Sequence, residues 1–170
     1  MNSARRQETE FMELIKQNDR LIHKVCNLYA MNNREDYMDL YQEIVLQTWT
    51  AFPKFQGTAK VSTWLYRIAL NTAITHKRTG NKKIAALPFD ESLVQMAEGG
   101  QEGNDEYLLL WQLIKQLPQL ERALVLLYLE NNSYDEIASI MGLSTTNVGT
   151  RLGRIKEKLR KQATEAQMSN

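Results

Sequence analysis

The side chains of this chain that could do chemistry are cations in two clusters, and the chemistry they suit is the grip of a polyanion. Residues 144–161 hold Arg151, Arg154, Lys156, Lys158, Arg160 and Lys161 against a single acid, Glu157. Residues 54–87 hold seven cations and no acid, among them Lys60, Arg67, Lys77, Arg78, Lys82 and Lys83. Clusters of this density attract phosphates by releasing counterions. Between them, residues 88–111 carry six acids and no base, so a net charge of +1 over 170 residues conceals a sharply divided chain. The competing reading of either cluster is a solvated helix face. Two clusters in one chain, each with further signals around it, weigh against that reading.

Covalent and metal chemistry find little support. His23 and Cys26 lie three residues apart, which is half of a metal set, but His76 is the only other histidine and there is no second cysteine. A lone cysteine forms no internal disulfide and suits a reducing compartment. No glycine-rich phosphate loop and no nucleophile with a base is present. The expectation is a protein that is not an enzyme, with no cofactor and no metal. No apolar run approaches the roughly 20 residues that cross a bilayer. The N-terminal charges are followed by no apolar stretch. A cytoplasmic location without membrane insertion is therefore expected.

The elements that must position the cations are helices. Few prolines and glycines interrupt the chain, and alternating β-branched runs are missing. Phe11, Leu14, Ile15, Leu21, Ile22, Val25, Leu28 and Tyr29 predict one amphipathic helix over 8–29. Tyr37, Leu40, Tyr41, Ile44, Val45, Thr48 and Phe52 predict a second over 34–52, with acids near its start and Pro53 at its end. A third is predicted over 63–78, with Trp64, Leu65, Ile68, Ala69, Thr72 and Ala73 inward. From 84 to 106 the periodicity is lost among acids and glycines, which reads as a flexible acidic linker. Helices resume at Tyr107, stop at Leu117-Pro118, and continue over 119–129 with Leu120, Ala123, Leu124, Leu127 and Tyr128 inward. The fold class is all-α: two small helical domains, 1–83 and 107–170, joined by the linker.

The most specific local signal spans 133–159. Ser133-Tyr134-Asp135-Glu136 is a capping box that opens a short helix. Gly142-Leu143-Ser144 is a tight turn, with Gly142 as a left-handed C-cap and Ser144 as the next N-cap. Val148, Leu152, Ile155 and Leu159 give the following helix one apolar face, and Ala138 lets the two helices approach closely. This is the helix-turn-helix plan, whose second helix enters a major groove. Thr145, Thr146, Asn147, Thr150, Arg151, Arg154 and Lys158 are the candidates for duplex DNA; arginine suits guanine edges and asparagine suits adenine. In the cluster at 60–83, Lys60, Arg67, Lys77, Arg78, Lys82 and Lys83, with Trp64, Tyr66 and His76 interleaved, suit single strands, because aromatics stack on unpaired bases. Asp39, Gln42, Glu43 and Gln47, on the outward half of the second helix beside Trp49, suit a protein interface. The plain alternative is a helix-turn-helix regulator that binds DNA unaided; it explains residues 107–166 but neither the basic-aromatic stretch nor the acidic helix.

These residues carry a resemblance. Asp39-Leu40-Tyr41-Gln42-Glu43-Ile44, Trp49, Phe55-Gln56-Gly57, Thr63-Trp64-Leu65-Tyr66-Arg67-Ile68-Ala69 and Asn71 resemble the second conserved region of bacterial sigma factors of the extracytoplasmic-function (ECF) group. Leu117-Pro118, Arg122, Leu127, Ser133–Ala138, Gly142-Leu143-Ser144, Asn147-Val148, Arg151-Leu152 and Arg154 resemble that group's fourth region. The resemblance implies a factor that binds core RNA polymerase and directs initiation at promoter DNA. It implies that Asp39, Gln42 and Glu43 dock the clamp helices of the largest polymerase subunit. Trp64, Arg67, Asn71 and the stretch 60–83 would engage the melted minus-ten element. Residues 145–154 would read the minus-thirty-five duplex, and the linker would thread the polymerase near its RNA exit path. An anti-sigma factor is a further implied partner. Thr75 stands where the group often has aspartate, Ile155 where it often has alanine, and Gly149 and Gly153 where it often has larger side chains.

Overall fold

The computed structural model describes residues 2–30, 33–76 and 105–169. The chain divides into two compact units, Met1–Gly100 and Gln101–Asn170. Among the described residues both are built from α-helices, with no strand. Residues 84–104 of the predicted linker over 84–106, and the predicted strand-binding residues Lys77 and Arg78, lie outside the described residues.

The first unit contains α1 (Asn2–Gln17), α2 (Asp19–Tyr29), α3 (Arg34–Ala51), a 3-10 turn (Phe52–Lys54) and α4 (Val61–Thr75). The single helix expected over 8–29 is thus two. Asn18 breaks it, with φ −115° and ψ 12°. Its side-chain amide donates to the Leu14 carbonyl at 2.8 Å, beside the bond that its backbone amide makes to the same oxygen at 3.2 Å. The hydrophobic pattern runs through the break and so could not reveal it. Asn33 caps α3, accepting from the amides of Glu35 (3.0 Å) and Asp36 (3.5 Å). Pro53 stands inside the 3-10 turn that ends α3.

Helices α2, α3 and α4 enclose the core of this unit, where Ile22, Val25, Leu28, Leu40, Ile44, Leu65 and Ala69 are fully buried. At roughly 1.5–3 kcal/mol per large apolar side chain, this layer holds the three helices together. Tyr66, expected among the stacking aromatics, belongs to the core as well.

His23 and Cys26 are engaged within the fold. The His23 ring bonds Tyr37 Oη through Nδ1, and its Nε2 lies 3.1 Å from Asp19 Oδ2. Tyr41 Oη donates to Asp19 Oδ1 at 2.5 Å. Burial pushes the Cys26 thiol far above its usual range, and Asp19 adds to this, so the side chain stays a protonated thiol.

The second unit contains α5 (Asp105–Lys115), α6 (Gln119–Leu129), α7 (Tyr134–Met141) and α8 (Thr145–Met168). Helix α5 begins two residues before the expected Tyr107, with Asp105 and Glu106 in its first turn, where the helix dipole favours anions. Ile114, Leu117, Leu124, Leu126, Leu127, Ile137 and Val148 are fully buried. Arg122 is buried too, and its Nε donates to the Leu117 carbonyl at 2.8 Å, closing the end of α5. Tyr128, expected inward, is 39% exposed. It packs against the Lys156 ammonium, which sits 3.9 Å from the ring centroid and keeps that edge of the ring at the surface.

Candidate nucleic-acid interfaces

The turn between α7 and α8 follows from its residues. Ser133 Oγ accepts from the Glu136 amide at 3.1 Å, which fixes the start of α7. Gly142 adopts φ 69° and ψ 33°, the left-handed region where a side chain is penalised. Ser144 Oγ accepts from the Asn147 amide at 3.1 Å and opens α8. Val148, Leu152, Ile155 and Leu159 are all buried on one face of α8, as their spacing requires.

Beside that buried face, about a quarter-turn round α8, lie four of the predicted duplex-binding residues. Asn147, Arg151, Arg154 and Lys158 recur every three or four residues and form one line, roughly 16 Å long at 1.5 Å per residue. Arg151 Nε donates to Asn147 Oδ1 at 2.8 Å, which orients both side chains before any ligand arrives. Arg154 is exposed. Lys158 Nζ lies 3.9 Å from Glu121 Oε2, a distance for attraction rather than a hydrogen bond. Thr146 and Thr150 are exposed beside this line.

Two supports of this surface escaped the sequence reading. Thr145 Oγ1 donates to Asp135 Oδ1 at 2.8 Å and ties the start of α8 to α7. At Gly149 an added Cβ would meet the Tyr134 ring at 3.4 Å, whereas at Gly153 nothing lies within 4 Å. Asp135 precedes Thr145 by ten residues, so only the known angle of the turn would have paired them.

On the first unit, Lys60, Trp64, Arg67 and Asn71 also follow a helical repeat along α4 and its N-cap. Lys60, Arg67 and Asn71 are exposed and Trp64 is half-buried. Phe55, from the loop before α4, packs on Trp64 with ring centroids 4.4 Å apart, leaving part of the indole at the surface. On α3, Asp39, Gln42 and Gln47 are exposed and Glu43 is half-buried. Gln47 Nε2 donates to Glu43 Oε1 at 2.9 Å. Met38, Leu46 and Trp49 are exposed on the same helix, so the acidic strip runs beside an apolar one. Trp49 is steadied by the edge of Phe11, 4.8 Å away between centroids.

Sequence reasoning kept the acidic and the basic-aromatic sets apart, but the fold joins them. Glu43 and Gln47 of α3 and Asn71, Thr72, Thr75 and His76 at the end of α4 line one groove of about 380 Å³.

Comparison with known proteins places this architecture. Residues 14–83 match the sigma-70 region 2 family and residues 107–159 match sigma-70 region 4. The ECF RNA polymerase sigma-E factor of Escherichia coli is 31% identical over 149 residues, covering 79% of this chain and 78% of that protein. The RNA polymerase sigma-H factor of Pseudomonas aeruginosa is 29% identical, covering 82% and 80%. The sigma factor SigV of Bacillus subtilis is 27% identical, covering 82% of each. Among solved structures, CnrH in complex with the cytosolic domain of CnrY shares the fold, with a TM-score of 0.67 at 21% identity over 93% of this chain and 90% of that one.

The chain belongs to the ECF sigma factors of the sigma-70 family. It binds core RNA polymerase and directs promoter-specific transcription initiation. The reading as a regulator that acts without polymerase is not favoured, because the region 2 match covers the half of the chain that such a regulator would not need. Among the described residues no helix is long and apolar enough to cross a membrane.

Proposed function

We propose a division of labour between the two units. Residues 1–83 dock the polymerase and hold the melted minus-ten strand, 84–106 connect, and 107–170 read the minus-thirty-five duplex. The α8 line Asn147, Arg151, Arg154 and Lys158 carries the duplex reading, with Thr145, Thr146 and Thr150 beside it. Lys60, Trp64, Arg67 and Asn71, continued by Lys77 and Arg78, hold the unpaired strand. Asp39, Gln42, Glu43 and Gln47 form the polymerase-docking strip.

The observation that supports this most is the continuity of Lys60, Trp64, Arg67 and Asn71 along one face of α4, separate from the α8 line. A cation, a half-exposed indole, a second cation and an amide in a row suit phosphates and unstacked bases together. In the proposed sequence of events, the chain binds core polymerase, the holoenzyme positions on duplex upstream DNA, and the α4 face captures a non-template base. Polymerase performs the catalysis.

The protein would act in the cytoplasm, where its polymerase resides. An anti-sigma factor that covers these surfaces is a further proposed partner, in keeping with the cytosolic CnrY domain bound to CnrH.

Run-off transcription with purified core polymerase tests the proposal: initiation at a cognate promoter should depend on this protein. Asp39→Lys with Glu43→Lys should reduce co-purification with core polymerase several-fold. Replacing Asn71 by Ala should impair opening while linear duplex binding persists. Initiation that is indifferent to the protein would sink the reading.

A further inference from the structure

The first unit carries sulfur in two very different settings. Cys26 is wholly buried and held as a protonated thiol, so it is poorly placed to meet an oxidant. Met38 is 45% exposed and stands on α3, one residue before Asp39. Met38, Gln42, Val45 and Trp49 follow one another at four, three and four residues, so they form one line along α3. Gln42 belongs to the docking strip and Trp49 to the apolar strip beside it. Met38 sits one turn before Gln42, with the two Cβ atoms roughly 5–6 Å apart. A thioether in that place offers a partner an apolar and adaptable contact.

We infer that Met38 is a modification site: a hydroperoxide converts its thioether to the sulfoxide, and the sulfoxide weakens docking to core polymerase. A sulfur lone pair attacks the terminal peroxide oxygen, and the S–O bond forms as the O–O bond breaks. The proton of the hydroperoxide passes to the departing oxygen. Sulfur loses two electrons, and the peroxide is reduced to an alcohol or, from hydrogen peroxide, to water. The product places a strongly polar S–O group where docking buries an apolar one, and burying such a group without a hydrogen bond is unfavourable. Methionine sulfoxide reductase reverses the change, so it can act as a switch. The inference rests on the reading of α3 as the polymerase-docking helix and adds a chemical control to it.

The test treats the full chain with hydrogen peroxide, follows each methionine by peptide mass spectrometry, and measures binding to immobilised core polymerase by biolayer interferometry. Oxidised wild type should bind about 10-fold more weakly, the scale of one polar group placed in an apolar contact, and reductase treatment should restore the affinity. Met38→Leu keeps the apolar volume. It should bind like untreated wild type and lose nothing on treatment, although Met168, 82% exposed at the end of α8, is oxidised alongside. Met38→Gln, which places a polar group there permanently, should bind weakly without peroxide. Full affinity of oxidised wild type, an equal loss in Met38→Leu, or a Met38 that stays reduced while Met168 is oxidised overturns the modification site. Asp39→Lys with Glu43→Lys, measured in parallel, probes the docking reading by itself. Loss of binding in that variant, with oxidation of Met38 harmless, leaves docking standing and refutes the inference. Full binding by both that variant and Met38→Gln overturns the docking helix and the inference with it.

Discussion

Gly153 stands nine residues into α8, a helix of 24 residues whose interior gains nothing from a glycine. Replacing it by alanine removes backbone freedom from the unfolded chain and should stabilise the second unit by about 0.8–1 kcal/mol. No clash offsets this gain, because an added Cβ finds nothing within 4 Å. With a urea slope of roughly 1–2 kcal/mol/M for a unit this small, the midpoint should rise by about half a molar. Urea melts of the full chain, followed by circular dichroism at matched concentrations, measure it. Gly149→Ala is the internal comparison. Its Cβ meets the Tyr134 ring at 3.4 Å, so the ring must give slightly and the gain should be smaller. A midpoint for Gly153→Ala that is unchanged or lower, or a larger gain at Gly149, refutes the argument that the helix alone governs this position. Duplex affinity reports separately: a methyl group tolerated in solution but harmful to promoter binding would mark Gly153 as a point of close backbone approach.

Replacing Arg151 and Arg154 together by Ala should weaken upstream duplex binding and flatten its salt dependence by about 0.9 in log–log slope for each phosphate no longer neutralised; an unchanged slope in a salt titration argues against the α8 line. Burial lowers Lys115 from 10.5 to about 8, so between those values the unfolded chain binds more protons and stability rises with pH. The urea-midpoint difference between wild type and Lys115→Met should therefore shrink from pH 7.5 to pH 10, and a constant difference would contradict it. The Cys26 thiol, wholly buried and held protonated, should react with a thiol-exchange reagent only in denaturant; native-state labelling at the rate of a free thiol would show the core to be open.

What was legible in the sequence is what local chemistry dictates. Ser133, Gly142 and Ser144 announced the two caps and the turn, and each makes the bond or the backbone angle its type suggests. The apolar spacing of Val148, Leu152, Ile155 and Leu159 gave the buried face of α8. Outside that face Thr146, Thr150 and Arg154 are exposed and Asn147 and Arg151 are half-buried. The break at Asn18 was not legible, since Leu14, Ile15, Leu21 and Ile22 keep a helical spacing across it and the departure lies in the backbone angles of Asn18. Tyr66 and Tyr128 exchanged expected places because both an aromatic core and an aromatic surface satisfy the same periodicity. The groove shared by Glu43 and His76 depends on how α3 crosses α4, which neither helix encodes by itself.

The break at Asn18 has a consequence for the way the first unit comes apart. Helix α1 inserts only Phe11 and Ile15 into the body, so it is an arm held by two pegs. Detaching it forfeits far less than dissolving the three-helix core, which puts the arm on the lowest rung of local opening. Its amides then trade hydrogen with solvent ahead of the rest, and the joint at Asn18 offers a protease its first purchase. Trp49, deprived of the Phe11 edge, signals the release in its emission while the remainder of the unit stays closed.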